Sequence, residues 1–281
     1  MKLVRYGIAG REKPGMLDAQ GVLRDLSQIV DDIAGDALTN ESIRRIRALD
    51  PEALLKVEGA PPRLGAPVGH VGKIICVGLN YADHAAESGQ PVPEQPVIFM
   101  KATSAIVGAF DEVVIPPGSR KTDWEVELGV VIGDMARNLP RSAALDHVAG
   151  YLIVNDISER EFQFDHGGQW VKGKSCDTFA PLGPWLVTPD EVPDPQDLAM
   201  WLSVNGQRYQ DGNTCTMVFD VATLVSDISR YMTLEPGDVI STGTPPGVGL
   251  GQKPPVYLKA GDVMELGIEG LGVQCQRVVG S

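Results

Sequence analysis

At 281 residues, with 43% hydrophobic and 22% charged side chains, the chain can bury a sizeable core, and its composition excludes a disordered or fibrous protein. Its 24 Lys+Arg against 37 Asp+Glu leave a net charge of −13, a field that repels phosphate backbones and argues against a nucleic-acid partner. The opening MKLVRYGIAG lacks the apolar run of an export signal and no later window is long enough to span a bilayer, so the sequence reads as cytoplasmic with no membrane partner.

In chain order, residues 2–9 and 15–26 read as short hairpin strands turning at Gln20-Gly21. Thr39-Asn40-Glu41-Ser42 offers caps ahead of the helical IRRIRALD, and Pro51 opens a further turn in PEALLKV. These make a small α+β unit over residues 1–62. The Pro- and Gly-rich GAPPRLGAPVG, residues 59–69, marks the boundary to a second unit, residues 70–281.

Beyond it, KIICVGL, PVIFMK, EVVIP, WEVELGVVIG and YLIVND are strand-like, and LSVNGQRYQ is a hairpin with Asn205-Gly206 as its turn. DVISTG and the closing VMELGI to VQCQRVV complete the strands, while SAALDHVAG and FDVATLVSDISRYM are the main helical patterns. Strands and helices do not alternate, so the expected class is α+β, β-rich and mixed, not a dinucleotide-binding sheet.

Cys76, Cys176, Cys215 and Cys275 form no CxxC pair, and His70, His84, His147 and His166 are equally dispersed. A metal here should therefore have oxygen ligands. Asp123-Trp124-Glu125-Val126-Glu127 puts Glu125 and Glu127 on one face of a strand, a like-charge pair that a hard divalent cation would reconcile. Asp156, closing the apolar YLIVND, is the candidate third ligand. The plainer alternative makes ELE a solvated strand face and Asp156 a turn cap.

In Tyr81-Ala82-Asp83-His84-Ala85-Ala86-Glu87, a helix over 81–88 would place His84 and Glu87 one turn apart, a base with its orienting carboxylate, or else an ordinary exposed pair. Arg160, Gln163 and Lys174 are donors for a carboxylate, keto oxygen or enolate, though Arg160 and Lys172 also suit a solvated loop. The segment 241–249, STGTPPGVG, lacks the GK[ST] ending of a nucleotide loop, so ATP and NAD are rejected. Its Thr242 or Thr244 hydroxyl could hold a small carboxylate, and a plain tight turn is the alternative.

Taken in order, VGLNYADHAAE, DWEVELGVVIG, YLIVNDISERE, KGKSCDTFAPLGPWL, VNGQRYQDGNT and DVISTGTPPGVG resemble the fumarylacetoacetate hydrolase family over about residues 72–281. The resemblance implies a mixed β-sandwich roll behind a small N-terminal α+β domain, a homodimer or dimer of dimers, and Mg2+ or Mn2+ on Glu125, Glu127 and Asp156. It makes His84 and Glu87 a water-activating dyad on a lid, Lys174 an active-site lysine, Arg160 and Gln163 substrate contacts, and Thr244 a neighbour of the keto-acid carboxylate. Tyr81 and His166 complete the expected substrate contacts, His166 either meeting substrate hydroxyls or lying on the surface.

The implied substrate is a small 2-oxo acid, specifically a 2,4-diketo acid cleaved between C3 and C4 by a hydrolase acting on carbon–carbon bonds. The block 157–185 and the N-terminal unit most resemble members acting on 2,4-diketo-3-deoxy-L-rhamnonate or L-fuconate, giving pyruvate and L-lactate in sugar-acid catabolism. Alternatives are another acylpyruvate hydrolase, an oxaloacetate decarboxylase, an isomerase or hydratase of 2-oxo acids, and an inactive ligand-binding homologue.

Overall fold

The structure, a computed structural model, describes residues 1–87 and 89–281. The strands expected near the start form as β1 (Lys2–Tyr6), β2 (Lys13–Leu17) and β3 (Leu23–Asp25). Helix α1 (Asn40–Arg47) begins where expected, with the Thr39 side chain accepting from the Ser42 N–H. It turns Ile43 and Ile46 into the core and leaves Arg44, Arg45 and Arg47 outside.

Next come β4 (Ile74–Gly78), α2 (Ala82–Glu87), β5 (Val97–Lys101), β6 (Ile106–Gly108), β7 (Val113–Ile115), β8 (Thr122–Asp123), β9 (Val126–Ile132) and β10 (Val148–Asn155). Ser88, the expected last residue of the HxxE helix, lies outside the described residues. Then follow β11 (Ser158–Glu159), α3 (Arg160–Phe164), α4 (Val171–Lys174), β12 (Ala180–Val187), β13 (Ala199–Val204) and β14 (Gln207–Asn213). Finally α5 (Val221–Tyr231), β15 (Val239–Ser241), β16 (Val263–Ile268) and β17 (Gly272–Gly280) close the chain.

One large mixed sheet runs β3-β2-β1-β12-β10-β9-β15-β4-β5, with β6 also paired to β12, and a second runs β14-β13-β16-β17-β7. Every residue of β9 and β10 is buried, so both faces of the sheet's centre are covered. The second sheet packs on that centre, and buried amides fill the seam: Gln274 Nε2 donates to the Ile153 and Gly183 carbonyls, and Gln276 Nε2 to Ala109. The fold is thus the β-rich α+β class expected from the sequence. No helix among the described residues is long and apolar enough to cross a membrane.

The helix expected over SAALDHVAG is shorter than its pattern suggests. Arg141–His147 forms a 3-10 turn, and Val148, Ala149 and Gly150 enter β10 instead. Pairing with β9 and β12 decides this locally, since a Cβ on Gly150 would meet the Val187 carbonyl at 2.3 Å.

The Pro- and Gly-rich stretch 59–69 is pinned to its surroundings. Leu64 bridges Tyr6, and β1 pairs with β12, so the sheet is continuous from the first residues into the rest of the chain. Arg63 Nε donates to Asp111 Oδ1 at 2.7 Å and Nη1 to Glu12 Oε1 at 2.8 Å. Burial pushes both carboxyls up, but Arg63 outweighs it and holds Glu12 and Asp111 below the usual carboxylate range.

Because depressed carboxyls stabilise the fold above their unfolded values of about 4 and lose that contribution as pH falls through the folded ones, Arg63→Met should cost about 1–3 kcal/mol near neutrality and progressively less below about pH 4. Denaturant melts of both proteins across this pH range measure it; a constant difference would refute the clamp.

Candidate active site

The antiparallel register of β9 and β10 sets Asn155 opposite Val126 and Val154 opposite Glu127. Asp156, one residue past β10, therefore lies beside Glu125, and its N–H donates to the Glu125 carbonyl at 2.9 Å. Carboxylate oxygens of Glu125, Glu127 and Asp156 all fall within 4.8 Å of one another. Glu125 and Glu127 are 5% and 2% exposed and Asp156 is fully buried, so the solvated-face alternative does not hold.

Buried carboxylates at this separation need partners. Lys174 Nζ, at the end of α4, lies 2.6 Å from Glu125 Oε2 and 2.9 Å from Asp156 Oδ2. Lys101 Nζ, at the end of β5, donates to Asp156 Oδ1 at 2.6 Å and to the Ile157 carbonyl at 3.0 Å. Arg160 places Nη2 2.7 Å from Glu125 Oε1, donates through Nε to Asp123 Oδ2 at 2.9 Å and through Nη1 to Gln163 Oε1 at 3.0 Å. Among the described residues Glu127 has no cation in contact, and it is held by the Ser241 hydroxyl at 2.6 Å and the Gly243 N–H at 2.9 Å. Gly243 has φ +98°, a conformation that turns its amide onto the carboxylate without a Cβ penalty.

These partners drive the two glutamates apart in acidity. Burial would raise Glu125, but Lys174, Arg160 and His84 outweigh it and hold the group at about 2. Burial raises Glu127 well above the carboxylate range, and Asp156 and Glu125 push the same way. Burial opposes the charge on Lys174, yet Asp156 and Glu125 raise it overall. The cluster is rich in oxygen donors and short of positive charge at Glu127, which is what a divalent cation would supply.

A cavity of about 450 Å3 opens over this cluster, and His84, Gln163, Thr244, Arg160 and Lys174 all line it. His84 Nδ1 lies 3.2 Å from Glu87 Oε2. Glu87 in turn accepts the Gly247 N–H at 3.0 Å, and only glycine fits there, since φ is +107° and a Cβ would meet the Tyr209 carbonyl at 2.0 Å. Thr244 Oγ1 donates to the Val126 carbonyl at 2.8 Å and accepts from Gln210 Nε2 at 2.7 Å, which fixes the backbone between the two glutamates.

Two expected contacts lie elsewhere. Tyr81 is fully buried outside the cavity lining and its hydroxyl donates to Met200 Sδ at 3.3 Å, because its side chain turns into the core. His166 is exposed and stacks on Phe162 at 5.0 Å, carried outward by a turn containing Gly167 and Gly168 at positive φ. Lys172 is likewise exposed, donating to the His166 carbonyl at 2.7 Å.

Sequence reasoning missed Lys101, the role of Asp123, and the walls made by Phe99, Phe164, Val248 and Leu250. Lys101 carried a signal, a lone charge ending the apolar VIFM just as Asp156 ends LIVN. Asp123 Oδ1 accepts the Gly249 N–H at 2.6 Å and Oδ2 the Leu250 N–H at 2.9 Å, so it ties the loop bearing Val248 and Leu250 to Arg160. Phe99, Phe164 and Trp170 form another wall, and no spacing rule links them.

A closed oxygen-donor cluster, a histidine–glutamate pair and a shared cavity on a β-rich frame define an enzyme acting on a small molecule. Residues 73–279 match the model of the Fumarylacetoacetate (FAA) hydrolase C-terminal family. A Burkholderia cenocepacia protein named only in general terms as a hydrolase is 64% identical over 278 residues, covering 99% of this chain and 98% of that protein. Fumarylacetoacetate hydrolase from psychrophilic Exiguobacterium antarcticum is similar with a TM-score of 0.85 and 40% identity over 100% of both chains. Maleylpyruvate hydrolase from Sphingobium sp. SYK-6, solved in complex with manganese(II) ion and pyruvate, is similar with a TM-score of 0.83 and 30% identity over 100% of both. The chain belongs to the fumarylacetoacetate hydrolase family and is a hydrolase.

Proposed function

We propose that the chain hydrolyses the C3–C4 bond of a 2,4-diketo acid, releasing pyruvate and a second carboxylic acid. One observation carries the reading: three carboxylates within 4.8 Å of one another, two of them lining a cavity whose wall holds His84 paired with Glu87. The pyruvate half draws support from the similar maleylpyruvate hydrolase with its manganese and pyruvate.

Glu125, Glu127 and Asp156 fit a hard divalent ion, Mg2+ by preference and Mn2+ as the alternative. When bound, such an ion polarises a 2-keto oxygen and offsets the charge of a neighbouring substrate carboxylate. His84 serves as the base: with Nδ1 donating to Glu87, Nε2 takes a proton from water while the water oxygen adds to the C4 carbonyl carbon. The C3–C4 bond then breaks, its electron pair passing to C3 as pyruvate enolate, and the proton held on His84 returns to C3. R–CO–CH2–CO–COO− and water thus become R–COOH and pyruvate. Lys174 and Arg160 hold fixed positive charge beside Glu125, facing the developing enolate.

For the acyl half we assign a short hydroxyacyl chain, as in 2,4-diketo-3-deoxy-L-rhamnonate or L-fuconate, yielding L-lactate with pyruvate in sugar-acid catabolism. The motif block 157–185 supports that choice. A homodimer or dimer of dimers is the assembly we assign, and light scattering after gel filtration tests it.

The reaction is tested by incubating the protein and Mg2+ with such a diketo acid and, in parallel, oxaloacetate. Equimolar pyruvate and hydroxyacid are expected; carbon dioxide from oxaloacetate alone would make the enzyme a decarboxylase. Failure of Mg2+ and oxalate to bind in calorimetry would leave an inactive homologue.

A further inference from the structure

The cavity lining is of two unlike kinds. Glu125, Glu127 and Lys174 are ionic, while Gly78, Leu79 and Trp170 are apolar. The Trp170 indole lies directly on Gly78, where a Cβ would come within 2.5 Å of the ring. Phe99 meets the indole edge-on, centroids 5.3 Å apart at 65°, and Phe164 does so at 6.1 Å and 83°. Gly78 and two ring edges thus pack the indole into the cavity wall.

Its backbone is tied in as well. The Trp170 carbonyl accepts the Lys174 N–H at 3.1 Å, so a single helical turn carries both the apolar wall and the ammonium that faces Glu125. On the far side of Gly78, Leu79 has φ +56°, the left-handed region where a side chain is disfavoured. Leucine stands where the backbone favours glycine, and its side chain lines the cavity. Gly78 is the one gap between two bulky residues, and Trp170 covers it.

We infer that Trp170, seated on Gly78 and sharing the cavity lining with Leu79, determines specificity for the acyl half of the substrate. It limits the substrate class to acylpyruvates whose acyl chain is short and aliphatic, and excludes aryl-bearing ones. The inference rests on the 2,4-diketo acid reading of the same cavity. An apolar wall discriminates through volume, so removing the indole should admit a ring that the intact protein rejects.

The test uses two unreactive pyruvate analogues, oxamate and its N-phenyl derivative oxanilate, titrated calorimetrically into the Mg2+-loaded full-length protein. Trp170→Ala should raise the affinity for oxanilate relative to oxamate by roughly 10-fold or more, with a smaller shift for Trp170→Phe. Leu79→Gly, which relieves the backbone while removing a side chain, should shift the ratio in the same direction and carries the test with Trp170→Phe should Trp170→Ala fail to fold. An unchanged ratio in the folded variants, with oxamate still bound by the unaltered protein, overturns the inference and leaves the diketo acid reading standing. Binding of neither analogue by the unaltered protein overturns both.

Discussion

Replacing His84 by Ala should lower kcat on a diketo acid by about 10²–10⁴-fold while leaving Mg2+ affinity within a small factor of the unaltered protein. His84 lines the cavity and its ring pairs with Glu87, so its loss removes the proton acceptor and no member of the acidic cluster. Glu87→Gln should fall less, since an amide oxygen can still accept from Nδ1 and from the Gly247 N–H. Turnover and Mg2+ calorimetry on both variants check this; full activity in His84→Ala would assign the base elsewhere.

The second large effect has opposite signs for stability and activity. Glu127 carries a raised carboxyl, a group whose contribution to stability is present below its unfolded value of about 4.3 and lost as pH rises through the folded one. In chelator at neutral pH, Glu127→Gln should therefore melt at least about 2 °C above the unaltered protein, because the amide removes repulsion from Asp156 and Glu125 and still accepts from Ser241 and Gly243. That advantage should vanish toward pH 4. The same variant should lose at least about 100-fold in Mg2+ affinity and show no Mg2+-induced rise in melting temperature. A lower melting point in chelator would refute the repulsion, and a preserved Mg2+ shift would remove Glu127 from the ligand set.

Much of this cluster is legible in the sequence, for reasons that differ by residue. Glu125 and Glu127 were paired from the two-residue period of extended chain, although β9 itself begins only at Val126 and Glu125 sits one residue before it. Asp156 was found because an acid ending an apolar run is conspicuous, but its place beside Glu125 depends on the β9–β10 register, which no local pattern encodes. Asn205-Gly206 turned as expected, at φ +51° and +79°, since few dipeptides accept that conformation.

Burial, in contrast, was not readable. Nothing in ELE distinguishes a solvated face from one covered by a second sheet, and the distinction decides the chemistry. Tyr81 and His166 show the converse limit: both sit in informative motifs, yet one side chain faces the core and the other the solvent. Lys101 was overlooked because its partner lies 55 residues away in sequence.

Asp123 joins the guanidinium beside Glu125 to the amides of Gly249 and Leu250. A backbone shift in that loop therefore cannot move the Val248–Leu250 wall without disturbing the ionic centre. Evolution toward new substrates has freer ground at positions 79 and 164–170, whose side chains make no hydrogen bond to the three carboxylates. Paralogues with altered preference should differ there first, while Asp123 and its loop stay as they are.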